Sequence, residues 1–177
     1  VLEHVVDTVL HFEGDQGGGL RLLRAVKNRF GPTNEVGVFE MGERGLEDVA
    51  NPSAVLLAER PKGASGSSVL PTIEGTRPLL VEVQALCTRS ALAMPRRTTL
   101  GLDTNRVAVL TAIVDKRAGL KLFEHDLFVS VAGGIRVQEP AADLAIIAAI
   151  APSASDTALP EGLTLFGEVG LAGEVRA

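Results

Sequence analysis

Few of the 177 residues have side chains that invite chemistry, and most of those that do are cations. Lys27 and Arg29 stand one residue apart, just ahead of a Gly31-Pro32 turn, so both can be offered to a single anion. Arg77, Arg96, Arg97, Arg106 and Arg176 fall at expected strand ends or helix starts. A guanidinium suits phosphate there, because its planar fork donates paired hydrogen bonds and its charge persists. Lys116, Arg117 and Lys121 form a second group, in which Lys116 and Arg117 sit where a helix C-terminus attracts cations anyway. Two readings stand for each arginine: phosphate contact, or a local partner such as Asp103 for Arg106 and loop carbonyls for Arg77.

Nucleophiles and metal ligands are sparse. Ser65, Ser67 and Ser68 lie in a Gly-rich tract without a nearby histidine and read as flexible linker. The single cysteine, Cys87, excludes an internal disulfide framework, and His4, His11 and His125 have no zinc-ligand spacing, so no metal site is expected. The net charge of −5 excludes an overall basic surface but leaves room for a local patch, concentrated by symmetry in an oligomer. Apolar runs such as 144–151 are too short to cross a bilayer and no signal peptide opens the chain, so a cytoplasmic protein without membrane contact is expected.

The elements that must hold these side chains follow from periodicity. Strands are expected over 5–12 and 20–26, joined by a glycine turn at 14–19, and over 35–41 after the turn at 31–34. Residues 42–51 read as loop with a short helical turn, and Asn51-Pro52-Ser53 opens a short helix. Between 59 and 78, Gly, Ser and Pro suggest a mobile tract, partly strand near Val69. The alternation over 79–86 sets Leu79, Val81, Val83 and Ala85 on a buried face, with Glu82 and Gln84 opposite. Asp103 caps an amphipathic helix carrying Val107, Leu110 and Val114, which ends at Gly119. Paired strands are expected at 120–123 and 127–131, a buried helix at 141–151, and two strands at 163–169 and 171–176. This order describes a mixed α/β fold with helices packed on a sheet.

The run Lys27-Asn28-Arg29-Phe30-Gly31, followed by Thr33-Asn34-Glu35 and Phe39-Glu40-Met41, resembles the signature of the RadA (Sms) family of bacterial RecA paralogues. The likeness continues through 74–86, Arg96-Arg97, 101–106, 131–134, 139–145 and 167–176, nearly the whole chain. It implies that residues 1–57 are the terminal strands of a RecA-like ATPase core and that 58–177 form a Lon-protease-like domain, C-terminally incomplete. It also implies an ATP- and Mg-dependent DNA repair and recombination protein, acting as a homo-hexamer on single-stranded or duplex DNA. A recombinase of the RecA type is its candidate partner. In that setting Lys27 and Arg29 would couple nucleotide state to DNA, and Arg77, Arg96, Arg97, Arg106, Arg176, Lys116, Arg117 and Lys121 are the DNA-binding candidates. The chain has no GxxxxGK[ST] loop and no CxxC pair, both expected upstream.

Lon-type proteases place their serine in a Pro-Ser-Ala-Gly context at a helix start. The matching stretch here is Pro140-Ala141-Ala142-Asp143, with Ala141 at the serine position and Asp143 at the glycine. A methyl group cannot attack a carbonyl, so no peptidase activity is expected. Asp143 reads as a carboxylate favoured by its helix N-terminus. Two functional classes remain: a DNA-engaging, ring-forming part that supports branch migration, or an oligomerisation module without direct DNA contact.

Overall fold

The computed structural model describes residues 2–14 and 20–176. Strands β1 (Thr8–Glu13), β2 (Leu20–Asn28), β3 (Val36–Gly42) and β4 (Gly45–Asp48) form an antiparallel meander in chain order. Leu22 pairs with Val38 and Arg24 with Val36, which directs Leu20, Val36 and Val38 inward. Helix α1 (Pro52–Leu57) follows, with the Asn51 side chain accepting the Ala54 N–H at 3.1 Å and proline in the first turn.

The second sheet contains β5 (Ser67–Glu74), β6 (Arg77–Arg89), β7 (Arg97–Leu100) and β8 (His125–Val131), in the spatial order β5-β6-β8-β7. All pairs are antiparallel except β7 with β8. Parallel neighbours need a long crossover, and helix α2 (Thr104–Ala118) supplies it. Asp103 caps α2 by accepting the Arg106 N–H at 2.7 Å, and Gly119 ends it in the left-handed region at φ 69°. Helix α3 (Asp143–Ser155) packs on β5 and β6 through Ala145, Ile146, Ala149 and Ile150. A short hairpin of β9 (Glu168–Val169) and β10 (Val175–Arg176) completes the chain.

One hydrophobic core joins both sheets. It takes Leu20, Val38, Val49 and Leu56 from the first part, and Leu70, Leu79, Val81, Val83, Leu110, Leu127 and Ile150 from the second. Each such side chain contributes about 1.5–3 kcal/mol when buried. Polar contacts reinforce the join: Arg24 binds Glu74, and Arg77 donates to the carbonyls of Val49 and Ala50 at 3.1 Å each.

Several elements differ from expectation. The first strand begins at Thr8, after a 3-10 turn at Leu2–His4, because Val5 is exposed with nothing to bury it. The glycine turn expected at 14–19 lies, beyond Gly14, outside the described residues. Within 42–51, expected as loop, Gly45–Asp48 form strand β4: Gly42 pairs with Gly45, whose φ of 109° lets β4 fold back on β3. The strand expected at 120–123 is a 3-10 turn, Leu122–Glu124, entered through Lys121 at φ 50° with Leu122 buried. Strand β7 carries little apolar alternation and is held instead by its pairing with β8. The last strands shrink to two residues each, and Leu165 donates its N–H to the Val69 carbonyl at 2.9 Å beyond the edge of β5.

The serine tract is the largest correction. Ser67 and Ser68 are buried rather than mobile: the Ser68 hydroxyl donates to the Ala145 carbonyl at 2.7 Å, and Ser67 donates to Glu82 at 2.5 Å. Glu82, expected on the solvent face, is therefore buried as well, with Gln84 Nε2 at 3.0 Å.

The join between the sheets has a direct test at Gly75, which has φ 65° and whose missing Cβ would meet the Asn34 carbonyl oxygen. Gly162 has φ 76° and open space around it. Gly75→Ala should cost about 3 kcal/mol in denaturant unfolding, against about 1 kcal/mol for Gly162→Ala. Equal losses would mean that the 34–75 contact does not hold the sheets together.

Candidate functional site

Lys27 and Arg29 close the end of β2 onto the preceding segment. The Lys27 ammonium donates to the carbonyls of Glu3 at 2.6 Å and Val6 at 2.7 Å. Arg29 binds Asp7 twice, through its backbone N–H to the Asp7 carbonyl and through its guanidinium to the carboxylate, each at 2.9 Å. The arginine pair is exposed and exchangeable with solvent, whereas the lysine is held by two carbonyls.

The remaining candidate cations divide by what holds them. Arg77 is committed to the Val49 and Ala50 carbonyls, Arg176 to Glu174 at 2.6 Å, and Arg106 to Asp143. Lys116 and Arg117 occupy the last turn of α2, where its free carbonyls favour them. Arg96, Arg97 and Lys121 are brought together at one end of the second sheet. Arg89 joins them, since it pairs with His125 in the β6–β8 register. Arg97 donates to the carbonyls of Leu122, at 2.9 Å, and His125, while Arg96 is 65% exposed. The segments that carry these four cations, 89–97 and 121–126, contain two carboxylates, Glu124 and Asp126. Arg89 lies between the stretches that carried the family likeness, and its sole sequence signal is a cation ending a long strand.

Asp126 organises this cluster. It is buried, and its carboxylate accepts the Arg96 backbone N–H at 2.7 Å, with the Arg96 guanidinium at 3.8 Å. The Arg96 N–H first, then the Ser90 hydroxyl and the charges of Arg96 and Arg97, hold its carboxyl below the usual carboxylate range, against the opposing effect of burial. The Ser90 N–H also donates to the Glu124 carbonyl at 2.9 Å, so the connection over 90–96 is pinned at both ends.

The second feature surrounds Ala141. A 3-10 turn, Pro140–Ala142, leads into α3, and Gly167 is bonded on both sides of it: the Ala141 carbonyl accepts the Gly167 N–H at 2.7 Å, while the Leu144 N–H donates to the Gly167 carbonyl at 3.0 Å. Asp143, 1% exposed, accepts Arg106 Nε at 2.8 Å, Arg106 Nη2, and the Val169 N–H at 2.9 Å. Arg106 also donates to the Val169 carbonyl at 3.1 Å. The Asp143 hydrogen bonds raise the Arg106 pKa, with burial opposing. One ion pair thus fastens the starts of α2 and α3 to β9, beside a cleft of about 280 Å³ lined by Asp103, Gln138, Glu139 and Glu168. Asp143 answers to this arginine and amide as well as to the helix N-terminus, and Arg106 pairs with it through its side chain rather than with Asp103.

Two outcomes check this geometry. Arg106→Ala leaves a buried carboxylate with one amide donor and should destabilise the fold by about 2–4 kcal/mol, discounted because the arginine is partly exposed. The Arg106→Ala/Asp143→Ala double variant should recover part of that loss, and additive losses would show that the pair is uncoupled. For Asp126, a lowered folded pKa means stabilisation that is complete above the unfolded value of about 4 and lost as pH falls through the lower folded value. The Arg96 amide should keep its exchange protection down to about pH 4 and lose it below. Protection that fades between pH 7 and 5 would point to another anchor.

No family model matches the chain. The DNA repair protein RadA of Pseudomonas aeruginosa is 56% identical over 176 residues, 99% of this chain and 39% of that protein. RadA of Bacillus subtilis is 53% identical over 99% of this chain and 38% of its own length, and RadA of Streptococcus pneumoniae 53% over 99% and 42%. The chain therefore spans about two fifths of the length of these relatives. With more than half of its residues shared with them from end to end, the chain belongs to the RadA family, matching the C-terminal part of its members.

Proposed function

We propose that this chain is the DNA-engaging and ring-forming part of an ATP-dependent DNA repair and recombination protein that supports branch migration. The relatives carry the name DNA repair protein, and the gathering of Arg89, Arg96, Arg97 and Lys121 at one sheet end supports a DNA-facing surface. A net charge of −5 does not oppose it, because phosphate responds to the local field and six copies in a ring would add their patches.

In this reading residues 1–57 finish a RecA-like ATPase core and 58–177 form a Lon-like domain whose nucleophile position is Ala141. The domain then serves assembly and DNA contact rather than peptide cleavage, since a methyl group at 141 and a carboxylate bonded by Arg106 provide no nucleophile there. ATP and Mg belong to the intact protein. Of the two residues suited to reach a neighbouring subunit's phosphates, Arg29 fits better, because its surface pair with Asp7 exchanges readily, whereas Lys27 must release two carbonyls. The protein works in the cytoplasm, with a RecA-type recombinase as partner; no described helix is long and apolar enough to cross a membrane.

A second reading, an oligomerisation module without DNA contact, is favoured by the internal commitments of Arg77, Arg97 and Arg106. Titration of the intact protein with single-stranded and duplex DNA at two salt concentrations separates the two. Arg96→Glu with Lys121→Glu should weaken binding by about tenfold or more and flatten the salt slope by about one or two units, with ring assembly unchanged. Binding equal to the parent at low salt would sink the DNA-facing surface and leave the module.

A further inference from the structure

Three large apolar side chains are interleaved with the cations at this sheet end. Met94 is 84% exposed, Phe123 59% and Leu92 51%. Leu92 and Met94 project from the connection between β6 and β7, which is pinned by Ser90 to Glu124, by Leu92 N–H to the Ser90 hydroxyl at 3.1 Å, and by Arg96 to Asp126. Phe123 stands in the 3-10 turn that follows Lys121, and Arg97 is bonded to the carbonyl just before it. The Ser90–Glu124 and Arg96–Asp126 bonds thus join the two segments into one platform, which carries Arg89, Arg96 and Lys121 together with these exposed apolar groups.

Isolated exposed apolar residues are ordinary, but three of them among four cations match a ligand that is charged on one side and apolar on the other. Phosphates alone reward only the cations. A duplex buries its apolar base faces in its own stack and presents charge along its backbone, so Phe123, Leu92 and Met94 reach those faces only by unstacking a step at a cost of a few kcal/mol. An unpaired base has a flat apolar face that stacks on an aromatic ring with no stack to break first, and Leu and Met beside the ring extend the apolar surface it meets. The chain has no Trp or Tyr, so phenylalanine is the aromatic it can offer. We infer that Phe123, with Leu92 and Met94, contacts unstacked bases while Arg89, Arg96 and Lys121 hold the adjoining phosphates, making this platform the element that distinguishes unpaired from duplex DNA. The inference rests on the DNA-binding reading above.

The test measures binding of the intact protein to a labelled oligothymidylate and to a blunt duplex of the same length, by fluorescence anisotropy at two salt concentrations. Phe123→Ala should weaken single-strand binding by about tenfold and leave duplex binding nearly unchanged. The salt slope should stay the same, because no charge is removed. Phe123→Tyr should restore binding, and Leu92→Ser/Met94→Ser should reproduce the selective loss if Phe123→Ala fails to fold. Single-strand binding equal to the parent in both the Phe123 and the Leu92/Met94 variants, or equal losses on both DNAs, would overturn the inference and assign the apolar groups to a protein partner. The DNA-binding reading fails separately, if the parent shows no salt-dependent binding or ignores charge reversal at Arg96 and Lys121.

Discussion

Strand β6 is hydrogen-bonded along both edges and buried on one face, so its register leaves its neighbours little choice of position. Leu79, Val81, Val83 and Ala85 point at α3, and a slip by one residue would turn that row away from the core. The opposite face is fixed by a polar contact, since Glu82 is buried and must keep the Ser67 hydroxyl and the Gln84 amide. Its N-terminal end reaches the first sheet through Arg77, and the Leu80 N–H donates to the Ser53 hydroxyl at 2.9 Å, which seats α1. Its C-terminal end delivers Arg89 opposite His125. The cationic cluster therefore lies where the strand's length puts it.

What could be read from the residues depended on whether the signal was local. The α2 cap at Asp103, its apolar spacing and its end at Gly119 are written within 17 consecutive positions, and all appear as expected. The alternation over 79–86 was equally plain. Strands β4 and β7 were hidden, because Gly45–Asp48 and Arg97–Leu100 have weak strand patterns and exist through pairing with a neighbour. The serine tract misled for a related reason. Gly, Ser and Pro signal mobility when solvated, but Ser67 and Ser68 find buried partners that are 15 and 77 residues away. No local pattern announces such partners.

The arginines show the same limit from the side of function. Arg77, Arg106 and Arg176 share residue type and positional logic with Arg96, and sequence alone offered both a phosphate and a local partner for each. The fold separates them by proximity: carbonyls 27 and 28 residues upstream take Arg77, and a carboxylate 37 residues downstream takes Arg106. Arg89 drew no attention because it lies outside the family-like stretches, yet its register with His125 places it at the same end of the sheet as Arg96 and Lys121. Arg96, 65% exposed and 3.8 Å from the Asp126 carboxylate, stays open to an external partner, and that distinction exists only in three dimensions.

The stretch at 140–143 shows what a helix start does with a buried carboxylate. A helix start with free N–H groups favours negative charge, which suits an oxyanion during catalysis and a fixed carboxylate otherwise. Asp143 puts a permanent carboxylate at that spot, and Arg106 from α2 and the Val169 N–H from β9 answer it. Three elements that already share the apolar core through Val107, Ile146 and Val169 are also tied by one buried ion pair, whose removal from either side leaves the other partner unsatisfied. Such a pair tolerates little movement, so the geometry around Ala141 is stiffer than a cleft that must admit and release a peptide. In this chain the start of α3 is a joint between elements, closed by an ion pair beside Ala141.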